Sequence, residues 1–107
     1  MTRLRAFEEA GADALYAPGL PSVAAIRTVC SAVGKPVNVL ATGPALTLSV
    51  AELGELGARR VSLGSALARA ALTSALTAAR EVAESGTFGA LRGALTYAEA
   101  NDLMEGP

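Results

Sequence analysis

Gly34-Lys35-Pro36-Val37-Asn38-Val39-Leu40-Ala41 is the stretch whose reading decides the fold of this chain. A glycine follows a helical segment, a proline stands where its missing amide costs little, and a short apolar run then reads as a strand. Gly11 and Gly57 lie 23 residues to either side of Gly34, ahead of the runs Ala14-Leu15-Tyr16-Ala17 and Val61-Ser62-Leu63-Gly64. A glycine just past a helix can adopt the left-handed conformation that closes the helix end, after which the chain enters the strand. One helix, one turn and one strand fill that period, so the pattern predicts three β/α units. The first begins with a helix and no strand before it, so the chain reads as a piece of a larger barrel.

Working outward, the first helix is expected over Arg3 to Ala10, the first strand over Ala14 to Ala17, and a second helix from Pro21-Ser22 to a stop at Gly34. The second strand runs from Val37 to Ala41 and breaks at Thr42-Gly43-Pro44. Ser49 with Glu52 makes a capping box for a short helix ending at Gly57, and the third strand spans Arg60 to Leu63. A long amphipathic helix follows from Ser65 to Ser85, stopped by Gly86. Thr87 can cap a short piece around Phe88 to Leu91, and Thr96 with Glu99 caps a last helix ending near Met104. No low-complexity linker interrupts the chain, so residues 1–107 read as one unit. A period of 23 also suits leucine-rich repeats, but their leucine ladder is missing, and near-continuous apolar strands fit a parallel sheet covered on both faces.

Composition narrows the function classes. At 107 residues the chain holds well under half of a complete barrel, which needs roughly 250 residues. Its 51% apolar and 18% charged residues belong to a core-rich folded protein. A net charge of −1 with scattered arginines argues against nucleic acid as a partner. No apolar run approaches the roughly 20 residues of a membrane span, and no signal-type segment opens the chain, so a cytoplasmic location is expected with no membrane partner. Cys30, alone, forms no internal disulfide and reads as a small hydrophobe in an apolar helix. Histidine, the commonest general base, is absent.

In β/α barrels, chemistry sits where strands hand over to the following loops. Asp13, Lys35, Arg59 and Arg60 precede or start their strands and belong to the opposite, stabilising end. The functional ends contain no carboxylate, lysine, arginine or thiol, which leaves Tyr16, Pro18, Asn38, Leu40, Thr42, Gly64 and Ser65 as substrate-proximal candidates. Tyr16 shares a side of its strand with Pro18 and can line the barrel interior or fill the core. Thr42 and Ser65 can donate hydrogen bonds, and Ser65 also suits an ordinary helix cap. A buried amide in an apolar strand must be hydrogen-bonded, so Asn38 either links to a neighbouring strand or reaches a ligand; its early place in the strand favours the link. No paired carboxylates, metal-ligand cluster or nucleophile–base set exists, so no catalytic residue or metal ligand is assigned.

The segments Gly11 to Gly19, Lys35 to Ala41 and Arg60 to Gly64, with the helix from Ser65 and the ending Gly86-Thr87-Phe88-Gly89-Ala90-Leu91 and Thr96-Tyr97-Ala98-Glu99, resemble the carboxy-terminal part of the isocitrate lyase and phosphoenolpyruvate mutase superfamily. The resemblance covers essentially the whole chain. It implies an α/β fold, a partial (β/α)8 TIM barrel made of the last three β/α units and the carboxy-terminal helices. It also implies a parent that cleaves or rearranges C–C or P–C bonds next to a carboxylate, with Mg2+ holding an oxyanion. The family's metal-organising aspartates and its mobile loop, which bears a catalytic cysteine in many members, belong to earlier strands, so this chain alone is expected to be inactive. Pro18 stands where the lyases place a glutamate and Leu40 where they place an asparagine, which implies another small 2-oxo acid, carboxylate or phosphonate as substrate. Many members exchange a carboxy-terminal helix between subunits, and the open sheet edges add a second reason to expect a homo-oligomer. Two other readings remain: a fragment of a phosphate-binding barrel using Gly64-Ser65 and Thr42-Gly43, and a non-enzymatic self-associating α/β module.

Overall fold

In the computed structural model, which describes residues 1 to 106, two of the three spaced glycines close helices in the left-handed conformation. Helix α1 (Thr2–Glu9) ends at Gly11, φ +94°, where the amides of Gly11 and Ala12 donate to the carbonyls of Glu8 and Phe7. Helix α3 (Val50–Glu55) ends in the same way at Gly57, φ +103°, with Gly57 and Ala58 donating to Gly54 and Leu53. Both are complete Schellman closures, which satisfy carbonyls that the helix end leaves free.

Gly34 behaves differently. Helix α2 (Val23–Ser31) stops before it, and Gly34 is not left-handed. Its amide donates to Glu8 Oε1 of α1 at 2.8 Å, and a Cβ there would stand 3.0 Å from the same oxygen. Close approach of a carboxylate, not helix closure, is what suits glycine at this position.

The strands are β1 (Leu15–Tyr16), β2 (Val37–Leu40) and β3 (Arg60–Ser62), all parallel, in the order β1-β2-β3. Each is shorter than the sequence suggests, because pairing registers only Leu15 with Val37 and Tyr16 with Asn38 on one side, and Asn38, Val39 and Leu40 with Arg60, Val61 and Ser62 on the other. The break at Thr42-Gly43-Pro44 becomes a turn of 3₁₀ helix over Gly43–Thr47, and the Ser49–Glu52 capping box forms with both of its hydrogen bonds. Leu15, Val37 and Val39 pack against Ile26 and Val29 of α2, Leu4 of α1, and Leu53 and Leu56 at the end of α3. This packed face is what alternation buries, and it turns the other set of side chains onto a second face.

Residues up to Ser65 form one compact unit, and those from Ala66 onward a second. The sequence marks no boundary there, since Gly64-Ser65 lacks the character of a linker. The second unit contains α4 (Ala66–Ser85), a 3₁₀ turn at Gly89–Leu91 and α5 (Tyr97–Glu105), the last with its Thr96–Glu99 capping box in place. Thr87 does not cap the 3₁₀ turn. Its hydroxyl donates to Glu81 Oε1 at 2.6 Å, and the Glu81 carboxylate itself takes the amides of Gly89 and Ala90, each at 2.7 Å. A carboxylate accepting three hydrogen bonds favours its charged form.

Glu81 therefore titrates below its ordinary value of 4.5, owing first to the Thr87 hydroxyl and then to the two amides. A depressed folded pKa contributes stability that is complete above the unfolded pKa and is lost as pH falls through the folded one. Amide exchange at Gly89 and Ala90 is expected to quicken as pH falls from the ordinary carboxylate range through the lowered range of Glu81, beyond the intrinsic pH dependence of exchange. Glu81→Gln is expected to flatten this response, and a response identical to the parent's would contradict the role given to the carboxylate.

Candidate functional site

The second face of the sheet gathers Tyr16, Asn38 and Arg60 in one register layer, with Leu40 and Ser62 in the next. With Gly64 they line an open depression of about 350 Å³. Tyr16 is 46% exposed, Leu40 is half-buried, and Asn38, at 8% exposure, is buried. Asn38 Nδ2 donates to Ser62 Oγ at 2.9 Å, which ties β2 to β3 across the face. Its Oδ1 is buried with no hydrogen-bond partner. Of the two alternatives that the residue type leaves open, the structure shows the interstrand link, made through the nitrogen, while the oxygen has no partner among the described residues.

Gly64 has φ +54°, and a Cβ on it would approach Leu40 Cδ1 to 3.2 Å, so glycine keeps the end of β3 close to the end of β2. Pro18 is exposed and lines a separate groove of about 860 Å³ with Met1, Phe7, Tyr16 and Leu20. Thr42 precedes the 3₁₀ turn without capping it through its side chain, and its amide donates to the carbonyl of Leu40 at 2.8 Å. Ser65 is exposed and lies immediately before α4. The structure therefore brings together Tyr16, Asn38, Leu40 and Gly64, while Pro18, Thr42 and Ser65 lie outside the depression.

Arg60 and Ser62 belong to the depression although neither is among the candidates that the sequence suggests. A place at the start of its strand points Arg60 to the stabilising end, but register sets it opposite Asn38. The signal is present in the alternation Arg60, Ser62, Gly64, which puts all three on one face. Arg60 is also the one charged residue of that lining among the described residues, with no carboxylate beside it there.

Carboxylate oxygens are what Mg2+ requires, and among the described residues no group of three or more His, Cys, Asp or Glu could hold a metal. These side chains therefore do not fit a Mg2+ centre. Cys30 serves packing: it lies against the core, and burial pushes its thiol above the ordinary range. No described helix is long and apolar enough to cross a membrane.

The family model for phosphoenolpyruvate phosphomutase matches residues 1–83. The chain belongs to the phosphoenolpyruvate phosphomutase family. Among solved structures, this family member is similar to a protein of Burkholderia cenocepacia J2315 provisionally described as a lyase/mutase, with 45% identity and a TM-score of 0.89, covering 99% of this chain and 38% of that one. It is also similar to 2,3-dimethylmalate lyase, a member of the PEP mutase/isocitrate lyase superfamily, with 27% identity and a TM-score of 0.73, covering 97% of this chain and 37% of the other. A phosphoenolpyruvate phosphomutase from Streptomyces platensis subsp. rosaceus shares the fold, with 24% identity and a TM-score of 0.71, over 98% of this chain and 37% of that chain. No curated protein matched the sequence. This phosphoenolpyruvate phosphomutase family chain thus spans less than two-fifths of the length of those structures, and its three parallel β/α units are part of a barrel.

Proposed function

We propose that this chain forms one part of the wall and mouth of a lyase or mutase barrel that acts on a small 2-oxo acid, carboxylate or phosphonate, and that it is inactive by itself. Family membership and the 45% identical lyase/mutase relative support the reaction class. The observation that carries the division of labour is the lining of the sheet's second face: it offers hydrogen-bonding groups and one cation, with no carboxylate to act as general base or hold Mg2+. In that assembly, Tyr16 and Leu40 shape the pocket, Asn38 and Ser62 offer hydrogen bonds, and the metal and the acid–base groups come from residues other than these. We place the enzyme in the cytoplasm. A second copy is the partner we assign: Leu72 and Leu76, four residues apart on one face of α4, are each more than half exposed, an apolar pair that water disfavours.

The test is turnover. The 107-residue chain, incubated with Mg2+ and 2,3-dimethylmalate, oxaloacetate or phosphoenolpyruvate, is expected to release no product and to sediment as a dimer or larger. Joined to the preceding part of the Burkholderia relative, it is expected to gain activity on at least one of them. Turnover by the isolated chain would refute the reading, as would an inert joined protein that is demonstrably folded.

A further inference from the structure

Helix α5 is joined to α4 by residues 86–96, a stretch that contains Gly86, Gly89 and Gly93. Gly86 is left-handed at φ +65°, which turns the chain out of α4. α5 buries no side chain, and the Thr96–Glu99 capping box closes its first turn from within, so its own packing does little to fix its direction. The Glu81 carboxylate supplies a tie. Its Oε1 accepts from the Thr87 hydroxyl and the Gly89 amide and its Oε2 from the Ala90 amide, across six to nine residues of chain. The backbone hydrogen bonds of the turn, from Leu91 to Phe88, Arg92 to Gly89 and Ala94 to Leu91, stay within the stretch. Among the described residues, the hydrogen bonds that join this turn to α4 therefore all end on one side chain. Gly89 admits it closely, since a Cβ there would stand 3.0 Å from Oε1.

We propose that Glu81 is a latch that fixes the direction in which α5 leaves α4, and that neutralising it frees α5 as an arm on the hinge at residues 86–96. The tie is charge-assisted, so its strength depends on ionisation. The three bonds favour the carboxylate and lower its pKa, the Thr87 hydroxyl first and the two amides after it. With a lowered folded pKa, the latch is complete above the ordinary carboxylate range and is lost as pH falls through the lowered one. The other charged side chains on the two elements it joins are Arg69, Arg80 and Glu84 of α4 and Arg92 at the end of the turn, and none is among the causes of that shift. Hydrogen bonding, not an ion pair, therefore sets it. The latch directs the exposed side chains Tyr97, Leu103 and Met104 of α5. Latched, the helix presents them along one direction from α4; released, along many. This device is independent of the reaction assigned to the parent barrel.

The experiment measures backbone residual dipolar couplings and amide exchange in the 107-residue chain near neutral pH. In the unmodified chain, one alignment frame is expected to fit the couplings of α4 and α5 together. Glu81→Gln leaves one acceptor oxygen and sets an NH2 group in place of the other, so the α5 couplings are expected to shrink relative to those of α4. Exchange at Ala90 is expected to quicken at least about threefold, with the weakening of an exposed charge by solvent included. Glu84→Gln removes the same charge three residues further along α4 and is expected to leave both readings unchanged. Thr87→Val removes one of the three donors and is expected to give a smaller loss. Acidifying the unmodified chain is expected to shrink the α5 couplings while those of α4 persist. Separate frames for the two helices in the unmodified chain, a shared frame that survives Glu81→Gln, or an equal loss in Glu84→Gln would each overturn the proposal. Where Glu81→Gln does not fold, Thr87→Val carries the same test, and α5 couplings equal to those of the unmodified chain would overturn it.

Discussion

Gly57→Ala is expected to destabilise the protein by about 3 kcal/mol, the combined effect of backbone strain and overpacking. Gly57 has φ +103°, a conformation that alanine adopts only under strain. The added methyl would also stand 2.8 Å from Cys30 Cβ of α2, a distance at which something must shift. Neither the Cys30 Cβ nor the Gly57 backbone is the far end of a flexible chain, so relief requires α2 and the end of α3 to separate. Gly11→Ala supplies the control, since Gly11 has a similar φ of +94° and its added methyl would meet nothing within 4 Å. It is expected to cost about 1–2 kcal/mol, strain alone. Urea denaturation of the two variants separates the contributions, and equal losses would show that the approach to Cys30 carries no energy.

That comparison also shows what the spacing of 23 can and cannot convey. Gly11 and Gly57 are legible because a Schellman closure is local, decided by the helix just before the glycine. Gly34 has the same spacing but serves a contact with Glu8, 26 residues away, which no local pattern encodes. The capping boxes at Ser49–Glu52 and Thr96–Glu99 are likewise visible as three-residue spacings, whereas Glu81 reaches Gly89 and Ala90 across eight and nine residues and displaces Thr87 from the expected cap. The site follows the same division. Asn38 stands out in the sequence as an amide in an apolar strand, but its link to Ser62 depends on register, and so does the placement of Arg60 beside it. The family resemblance is legible because it rests on whole segments and not on any one contact.

Leu53→Ala is expected to cost about 3–4 kcal/mol, the range for truncating a fully buried leucine where the surroundings collapse only in part. Leu53 is 1% exposed, among the most deeply buried side chains, and it sits on a helix of six residues. So short a helix has little stability of its own, and packing must hold it. Leu53 also supplies the carbonyl that receives Ala58, so α3 and its closure at Gly57 are anchored through the same residue. Leu46→Ala, at a position 68% exposed shortly before α3, is expected to change stability by no more than about 0.5 kcal/mol. The consequence extends to the second face of the sheet, because β3 begins two residues after Ala58 and carries both Arg60 and Ser62. As α3 loosens, β3 loses its anchor on that side, and the hydrogen bond from Asn38 to Ser62 is expected to loosen with it. Denaturation gives the stability difference, and the side-chain amide of Asn38 reports the local effect through faster hydrogen exchange in Leu53→Ala than in Leu46→Ala. Equal exchange in the two variants, with the stability loss confirmed, would show that β3 is held by its pairing with β2 alone.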